Sequence, residues 1–347
     1  MAYEISTYRK IADSSLELQI FGFGSAHLGE MYGVVDEAAS QATLNAAWAA
    51  GVRYYDTAPW YGRGLAEHRL GGFLRTQKRS EFQITTKVGR TLHRPNKPTD
   101  FDRTPWKGGL NFDVHFDYSY TGIMRSYEQA MQRLALDTID ALLIHDLDAG
   151  AHSQDQVIHH QNALTSSGMK ALDELKSTGD IQSYGMGINT DEALNYATSA
   201  LQLDFLLVAM PYTLLDQASL HTGMADCVKS NTSVIIGAPL ASGILATGVR
   251  GKGKYNYQTA PEAVLKKVHD IETVCQTHNV SLTAAALQFP LAHPAVCSII
   301  PGAVNADQIR QNIALVESPI PDAFWADLKN QNLLVIDAPT PSADKRD

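Results

Sequence analysis

Cysteine is scarce: Cys227, Cys275 and Cys297 are the only three, an odd number spread over the last third of the chain. That excludes a disulfide framework and a cysteine zinc site, and it suits a reducing compartment. Long apolar runs are missing too. Nothing approaches the roughly 20 residues that a membrane-spanning helix needs. Basic clusters are absent, and 28 Lys and Arg against 37 Asp and Glu leave a net charge of −9. A nucleic-acid backbone would be repelled by such a chain. The opening Met1-Ala-Tyr-Glu-Ile-Ser lacks the charged-then-apolar pattern of a secretion signal. The expectation is a cytoplasmic protein without membrane or nucleic-acid partners.

What is present is alternation. Hydrophobic residues make up 44% of the 347, enough for a large core. Eight short apolar runs read as strands: 18–24, 52–56, 82–87, 141–146, 181–187, 205–210, 234–237 and 296–301. Helix-period stretches lie between or after them at 37–50, 66–75, 121–135, 166–177, 191–201, 219–230, 261–278 and 307–316. Gly51 and Gly179 punctuate helix ends. Eight βα units suit a closed (β/α)8 TIM barrel, an α/β fold, better than a doubly wound open sheet. Residues 1–17 are expected to cover the bottom of the barrel, 89–119 to form a long irregular loop, and 322–334 to add a helix. The whole of 1–347 reads as one domain, with 338–347 a loose tail.

Chemistry in such barrels sits at the C-terminal ends of the strands. Asp56 ends the second run, Tyr61 follows it, Lys87 ends the third and His145 lies at the end of the fourth. Taken singly, each has a plainer explanation: a turn cap, a surface lysine, a satisfied interior histidine. Together they make a proton-transfer set. A phenol near pKa ~10 is a weak acid at neutral pH. A neighbouring Lys87 ammonium lowers that value, Asp56 holds the ammonium, and His145 orients a carbonyl oxygen.

The stretch Asp56-Thr-Ala-Pro-Trp-Tyr61-Gly62, with Glu67, Leu70 and Gly71, resembles the aldo-keto reductase superfamily. So do Thr85-Thr-Lys87-Val and Ile144-His145-Asp, and the resemblance runs from about Leu18 to Val316. It implies a nicotinamide cofactor without a metal or a Rossmann domain, with Tyr61 as acid/base, Lys87 and Asp56 tuning it, and His145 binding the reacting oxygen. The partial glycine fingerprints Gly22-Phe-Gly24 and Gly185-Met-Gly187 then read as strand ends, since neither has the full pattern of a dinucleotide loop.

The resemblance also implies cofactor contacts. Asn189 matches the asparagine that binds the nicotinamide amide, with Ile188 where a serine is usual. Leu240, Ser242 and Gly243 match the pyrophosphate loop. Gly237 stands where an aromatic ring usually stacks on nicotinamide, and Tyr212 is the substitute expected. Gly302, Gln308, Gln311 and Asn312 match the adenosine segment. A 2′-phosphate needs cations, and the lysine and arginine of NADP users are missing near Gly302 and Gln308. NAD is therefore favoured, with NADP possible.

Within the superfamily the wording is most similar to aldose 1-dehydrogenases acting on L-fucose, D-arabinose or L-galactose, and to the branch that oxidises pyridoxal to its lactone. The substrate-pocket candidates are Trp60, His27, Met31, Trp106 and Tyr212, with Phe112 and Asp148 beside them. His152, His159 and His160 fit no metal-ligand spacing and read as a solvated loop. The alternatives are an NADPH-dependent carbonyl reductase, an aldolase with Lys87 as Schiff-base nucleophile, and a non-catalytic cofactor-binding regulatory subunit. A monomer or homodimer acting on a small molecule is expected.

Overall fold

The computed structural model describes residues 3–342 except 32, 252, 253 and 257. Eight strands run parallel in one sheet: β1 (Phe23–Gly24), β2 (Tyr54–Asp56), β3 (Gln83–Val88), β4 (Ala141–His145), β5 (Ser183–Ile188), β6 (Phe205–Val208), β7 (Ser233–Ile236) and β8 (Val296–Ile299). Neighbours follow sequence order. Phe21 bridges Ile299 in parallel, and Ile299 N–H donates to Ile20 O at 2.9 Å, which joins β8 to the start of the sheet. The fold is a (β/α)8 TIM barrel rather than an open sheet.

Two layers of core follow from the pleat. Alternate strand residues point inward: Tyr54, Ala141, Leu143, Phe205, Leu207, Ile235 and Cys297 share one cluster with Ile11, Leu16 and Leu18. The last three belong to an N-terminal hairpin, Tyr8–Lys10 against Glu17–Gln19. Its turn bonds to Ser233, the first residue of β7. The hairpin thus plugs the N-terminal end of the barrel. The outward residues pack under the helices.

Helix starts are set by short polar caps: Asp36 accepts from Ala39 N–H, Ser119 from Gly122 N–H, Thr190 from Ala193 N–H and Asn305 from Gln308 N–H. Four expectations need correction. The run 18–24 is split between the hairpin and β1. The segment 89–119 is not wholly irregular, because Arg90–His93 pairs with Asp113–Phe116 as an antiparallel ribbon. The helix expected at 166–177 begins much earlier, as Gln154–Ala163, a π turn at Leu164–Gly168 and then Met169–Thr178. His159 and His160 therefore ride on a helix, and His152 is buried against Phe116 and Tyr118, not solvated. A short helix, Leu282–Gln288, was not anticipated. The added helix occupies Asp322–Asn330. Of the stretch 338–347, Ala338 is fully buried, and 343–347 lie outside the described residues. Among the described residues no helix is long and apolar enough to cross a membrane, and no three His, Cys, Asp or Glu are grouped to hold a metal ion.

Candidate active site

Register brings the polar strand ends together. Asp56 pairs with Thr85, Lys87 with Leu143, and His145 with Gly187. The side chains of Asp56, Lys87 and His145 therefore rise from three adjacent strands at one mouth. Tyr61 joins them from the turn after β2. Gly62, Arg63 and Gly64 all have positive φ in that turn. Gly62 also touches Gly29 so closely that a Cβ there would lie 2.7 Å from Gly29 Cα. Only glycine permits that approach with that backbone.

Lys87 is 1% exposed. Its Nζ donates to Asp56 Oδ2 at 2.7 Å and to Thr57 O at 2.9 Å, and it lies 4.8 Å from the Tyr61 ring centroid. Thr85 Oγ1 donates to the other carboxylate oxygen at 2.8 Å. Burial works against the ammonium, but Asp56 and Tyr61 outweigh it and Lys87 is pushed up to about 12. Asp56 is raised by burial, against the pull of Lys87. Tyr61 departs from expectation. Lys87 does draw its pKa down, but burial is the larger effect and Asp56 adds to it, so the phenol sits above its ordinary 10.0. His145 is held well below 6.5 by burial and by the Arg90 and Lys87 cations, so it is a neutral imidazole. Its ring stands nearly perpendicular to that of Tyr61 at 6.1 Å.

Two further residues belong to this cluster and were not picked out beforehand. Arg90 is buried, with its guanidinium paired to Asp146 and lying 5.0 Å from the Trp60 ring and 4.7 Å from Phe116. Asp146 Oδ2 is 3.4 Å from His145 Nε2. The signals were adjacency: Asp146 directly follows His145, and Arg90 lies three residues past Lys87.

Two of the aromatic candidates gather beside Tyr61. Trp106 is buried, 5.6 Å from Trp60 and 6.0 Å from Tyr61, ring to ring. Its loop is fastened by Lys107 N–H to Glu30 O, Gly109 N–H to Glu30 Oε2 and Leu110 N–H to Gly62 O, at 2.8, 3.1 and 2.9 Å. The remaining candidates have the following surroundings. His27 faces Gly302, where a Cβ would lie 2.2 Å from its Nδ1. Burial lowers His27 to about 4. Tyr212 is fully buried with its ring on Phe289 and His293, committed to packing. Phe112 is exposed, Met31 is half-buried, and Asp148 is buried, accepting from the Asn189 and Gly150 amides.

Gly187 and Asn189, at the end of β5, lie beside this cluster. At Gly187 a Cβ would stand 3.8 Å from Lys87 Cε and 4.0 Å from His145 Cδ2, in ordinary contact. Gly187 thus stands directly against two of the polar side chains. Asn189 is half-buried, with Nδ2 donating to Asp146 Oδ1 at 3.1 Å. Leu240, Ser242 and Gly243 are half-buried, and a Cβ on Gly243 would meet nothing within 4 Å. At Gly237 a Cβ would lie 2.6 Å from Leu207 Cδ2, so a larger residue there would require the Leu207 side chain to move. In the last segment Gln308 and Gln311 are exposed and Asn312 is buried. Gln308 Oε1 accepts from Val304 N–H at 2.9 Å, and Arg310 pairs with Asp307 at 2.5 Å.

Residues 21–332 match the Aldo/keto reductase family. The chain is 38% identical to a pyridoxal 4-dehydrogenase of Microbacterium luteolum over 91% of this chain and 95% of that one. It is 35% identical to a D-threo-aldose 1-dehydrogenase of a Pseudomonas species, over 88% and 92%. In three dimensions it is similar to an aldo-keto reductase of Bacillus halodurans, with a TM-score of 0.70 and 24% identity, covering 98% of this chain and 99% of that one. A barrel with this set at its mouth and a family match over almost its full length leads to one conclusion: the chain belongs to the aldo/keto reductase family and is an oxidoreductase that uses a nicotinamide cofactor.

Proposed function

We propose that this enzyme oxidises a cyclic hemiacetal, such as L-fucose or D-arabinose, to its lactone with NAD. The observation that carries the reading is the cluster of buried Asp56, Lys87 and His145 with half-buried Tyr61 at the barrel mouth. A bound dinucleotide would supply the hydride acceptor for the hemiacetal carbon. Tyr61 as phenolate accepts the hydroxyl proton, and the Lys87 ammonium stabilises that phenolate. Neutral His145 positions the reacting oxygen. Trp60 and Trp106 offer faces for the ring and keep water from it. Asn189 would meet the nicotinamide carboxamide, Leu240, Ser242 and Gly243 the pyrophosphate, and Gly302, Gln308, Gln311 and Asn312 the adenosine.

Preference for NAD is supported by the adenosine end. Arg310 is occupied by Asp307, and Gln308 folds back on the Val304 amide. A 2′-phosphate would find a carboxylate nearby and no unpaired guanidinium. An aldolase reading is disfavoured because a lysine held near 12 is a poor Schiff-base nucleophile. A second substrate is favoured by the 38% identity to a pyridoxal 4-dehydrogenase, since pyridoxal is also a cyclic hemiacetal. We take the chain to work in the cytoplasm as one catalytic domain, monomeric or homodimeric.

The test is a panel of L-fucose, D-arabinose, L-galactose, L-rhamnose, pyridoxal and a simple aliphatic alcohol, each with NAD and with NADP, read by absorbance of the reduced nicotinamide. Turnover of a sugar or pyridoxal with NAD supports the reading and selects the substrate. Silence on the panel, with NADPH consumed on simple aldehydes, replaces it with a carbonyl reductase.

A further inference from the structure

Asp146 does more than close a turn. It follows the last residue of β4 with φ 44°, a left-handed conformation uncommon outside glycine. Its backbone is fixed there: its N–H donates to Gly187 O at 3.3 Å, and the Tyr118 hydroxyl reaches the His145 and Asp146 carbonyls at 2.7 and 3.4 Å. Both carboxylate oxygens are engaged. Oδ1 accepts from Asn189 Nδ2 at 3.1 Å, and Oδ2 pairs with Arg90. Arg90 in turn is held between Trp60 and Phe116.

Burial raises the Asp146 carboxyl above its ordinary value, against the pull of Arg90; paired with that guanidinium and taking the Asn189 NH2, the carboxylate acts as an acceptor on both oxygens. The Asn189 amide beside it therefore has one allowed orientation, with its NH2 toward Asp146 and its oxygen turned away. The Asn189 backbone N–H is tied separately to Asp148 Oδ2 at 3.4 Å, which holds its backbone beside Asp146 while the amide can still turn over.

We propose that Asp146 is a positioning residue that fixes the polarity of Asn189, so that the chain offers an acceptor, not a donor, to the carboxamide of the cofactor. This rests on the reading that Asn189 meets the carboxamide. The carboxamide NH2 is then the group recognised. In Asp146→Asn, the new amide gives its oxygen to Arg90 and its NH2 to Asn189, and Asn189 turns over to accept it. Its donors then face the cofactor, where a carbonyl oxygen suffices and the NH2 is no longer needed.

The experiment is fluorescence titration of the full chain with NADH and with reduced 3-acetylpyridine adenine dinucleotide, which carries a methyl group in place of the carboxamide NH2. ADP-ribose binding is followed alongside. The parent is expected to favour NADH over the analogue by roughly tenfold, the worth of one hydrogen bond. Asp146→Asn should lose that preference while binding ADP-ribose unchanged. The swap Asp146→Asn/Asn189→Asp keeps the charge of the cluster and restores an acceptor-only group at position 189, so it should regain the preference. It also serves if the single variant folds poorly. An Asp146→Asn that keeps the full preference, when Asn189→Ala abolishes it, overturns the proposal and leaves the reading of Asn189 standing. A swap that discriminates no better than Asn189→Ala likewise overturns it. A preference untouched by Asn189→Ala overturns that reading, and the proposal falls with it.

Discussion

The Lys87 ammonium lies 4.8 Å from the centre of the Tyr61 ring while Asp56 and Thr57 take up two of its protons. The cation is thus stationed beside the phenol, yet burial still leaves Tyr61 above its ordinary pKa. The protein has a poor acid by solution standards, kept protonated through the neutral range, next to a charge that stabilises its conjugate base as that base forms.

Opposite pH behaviour in the two directions follows. Oxidation needs the phenolate, whose fraction rises with pH wherever pH is below the pKa. The folded value lies above 10.0, so kcat/KM for oxidation should climb up to about tenfold per pH unit from 7 to 10 without a plateau. Reduction needs the phenol and should stay flat over the same interval. His145 should contribute no step near 6.5, because it is already neutral there. Pre-steady-state rates in both directions check this; an oxidation plateau near pH 8 would refute it.

Asp56→Asn should cost stability as well as rate. It leaves the Lys87 ammonium buried at 1% exposure with the Thr57 carbonyl and without its carboxylate. Breaking a buried pair by removing one partner costs roughly 3–5 kcal/mol. For a chain of this length that lowers Tm by about 5 °C, measurable by calorimetry. An unchanged Tm would mean that Lys87 loses its proton when Asp56 is neutralised.

Cofactor choice should move with the adenosine end. Gln308→Arg combined with Asp307→Asn places a guanidinium without its competing carboxylate, and should raise NADPH affinity relative to NADH about tenfold or more. Gly302→Lys alone should instead weaken both cofactors, since its Cβ would lie 2.2 Å from His27 Nδ1. Equilibrium titrations of the two reduced cofactors separate these outcomes.

Trp106→Ala should act mainly on substrate capture. The indole packs against Trp60 and Tyr61 but bonds to none of the buried Lys87–Asp56 pair. KM for the hemiacetal should rise about tenfold, with a smaller change in kcat and none in NADH affinity. A collapse of kcat at constant KM would show instead that Trp106 holds Tyr61 in place.

The barrel was legible in the sequence because parallel strands bury both faces and leave continuous apolar runs, as in Leu142-Leu-Ile. The failures have physical causes. Residues 18–24 form one apolar run, yet Leu18 joins the interior cluster with the plug and Phe23 the outer layer under the helices, two burials that hydrophobicity alone does not separate. Gln154–Ala163 has a single buried residue, Val157, so it lacks the apolar stripe that marks a helix. The ribbon imitates a loop because Arg90–His93 buries the polar Arg90 and Thr91 while Asp113–Phe116 is half-exposed, so neither strand shows an apolar alternation. Asp56, Tyr61, Lys87 and His145 stood out because charged or polar groups ended apolar runs. The pairing of Arg90 with Asp146 spans 56 residues and has no local signature. The sign of the Tyr61 shift was misjudged because neighbouring charge is visible in a sequence while depth of burial is not.

The Trp106 loop hangs as a roof from the same turn that bears Tyr61, the proposed proton carrier: Leu110 N–H bonds to Gly62 O, and Glu30 clasps Gly109. Lengthening or shortening that roof would drag on the backbone one residue from Tyr61. Descendants of this protein that acquire new substrates are therefore constrained to do so by exchanging side chains such as Trp106 at fixed loop length, while insertions would be accepted only in stretches that do not touch Gly62.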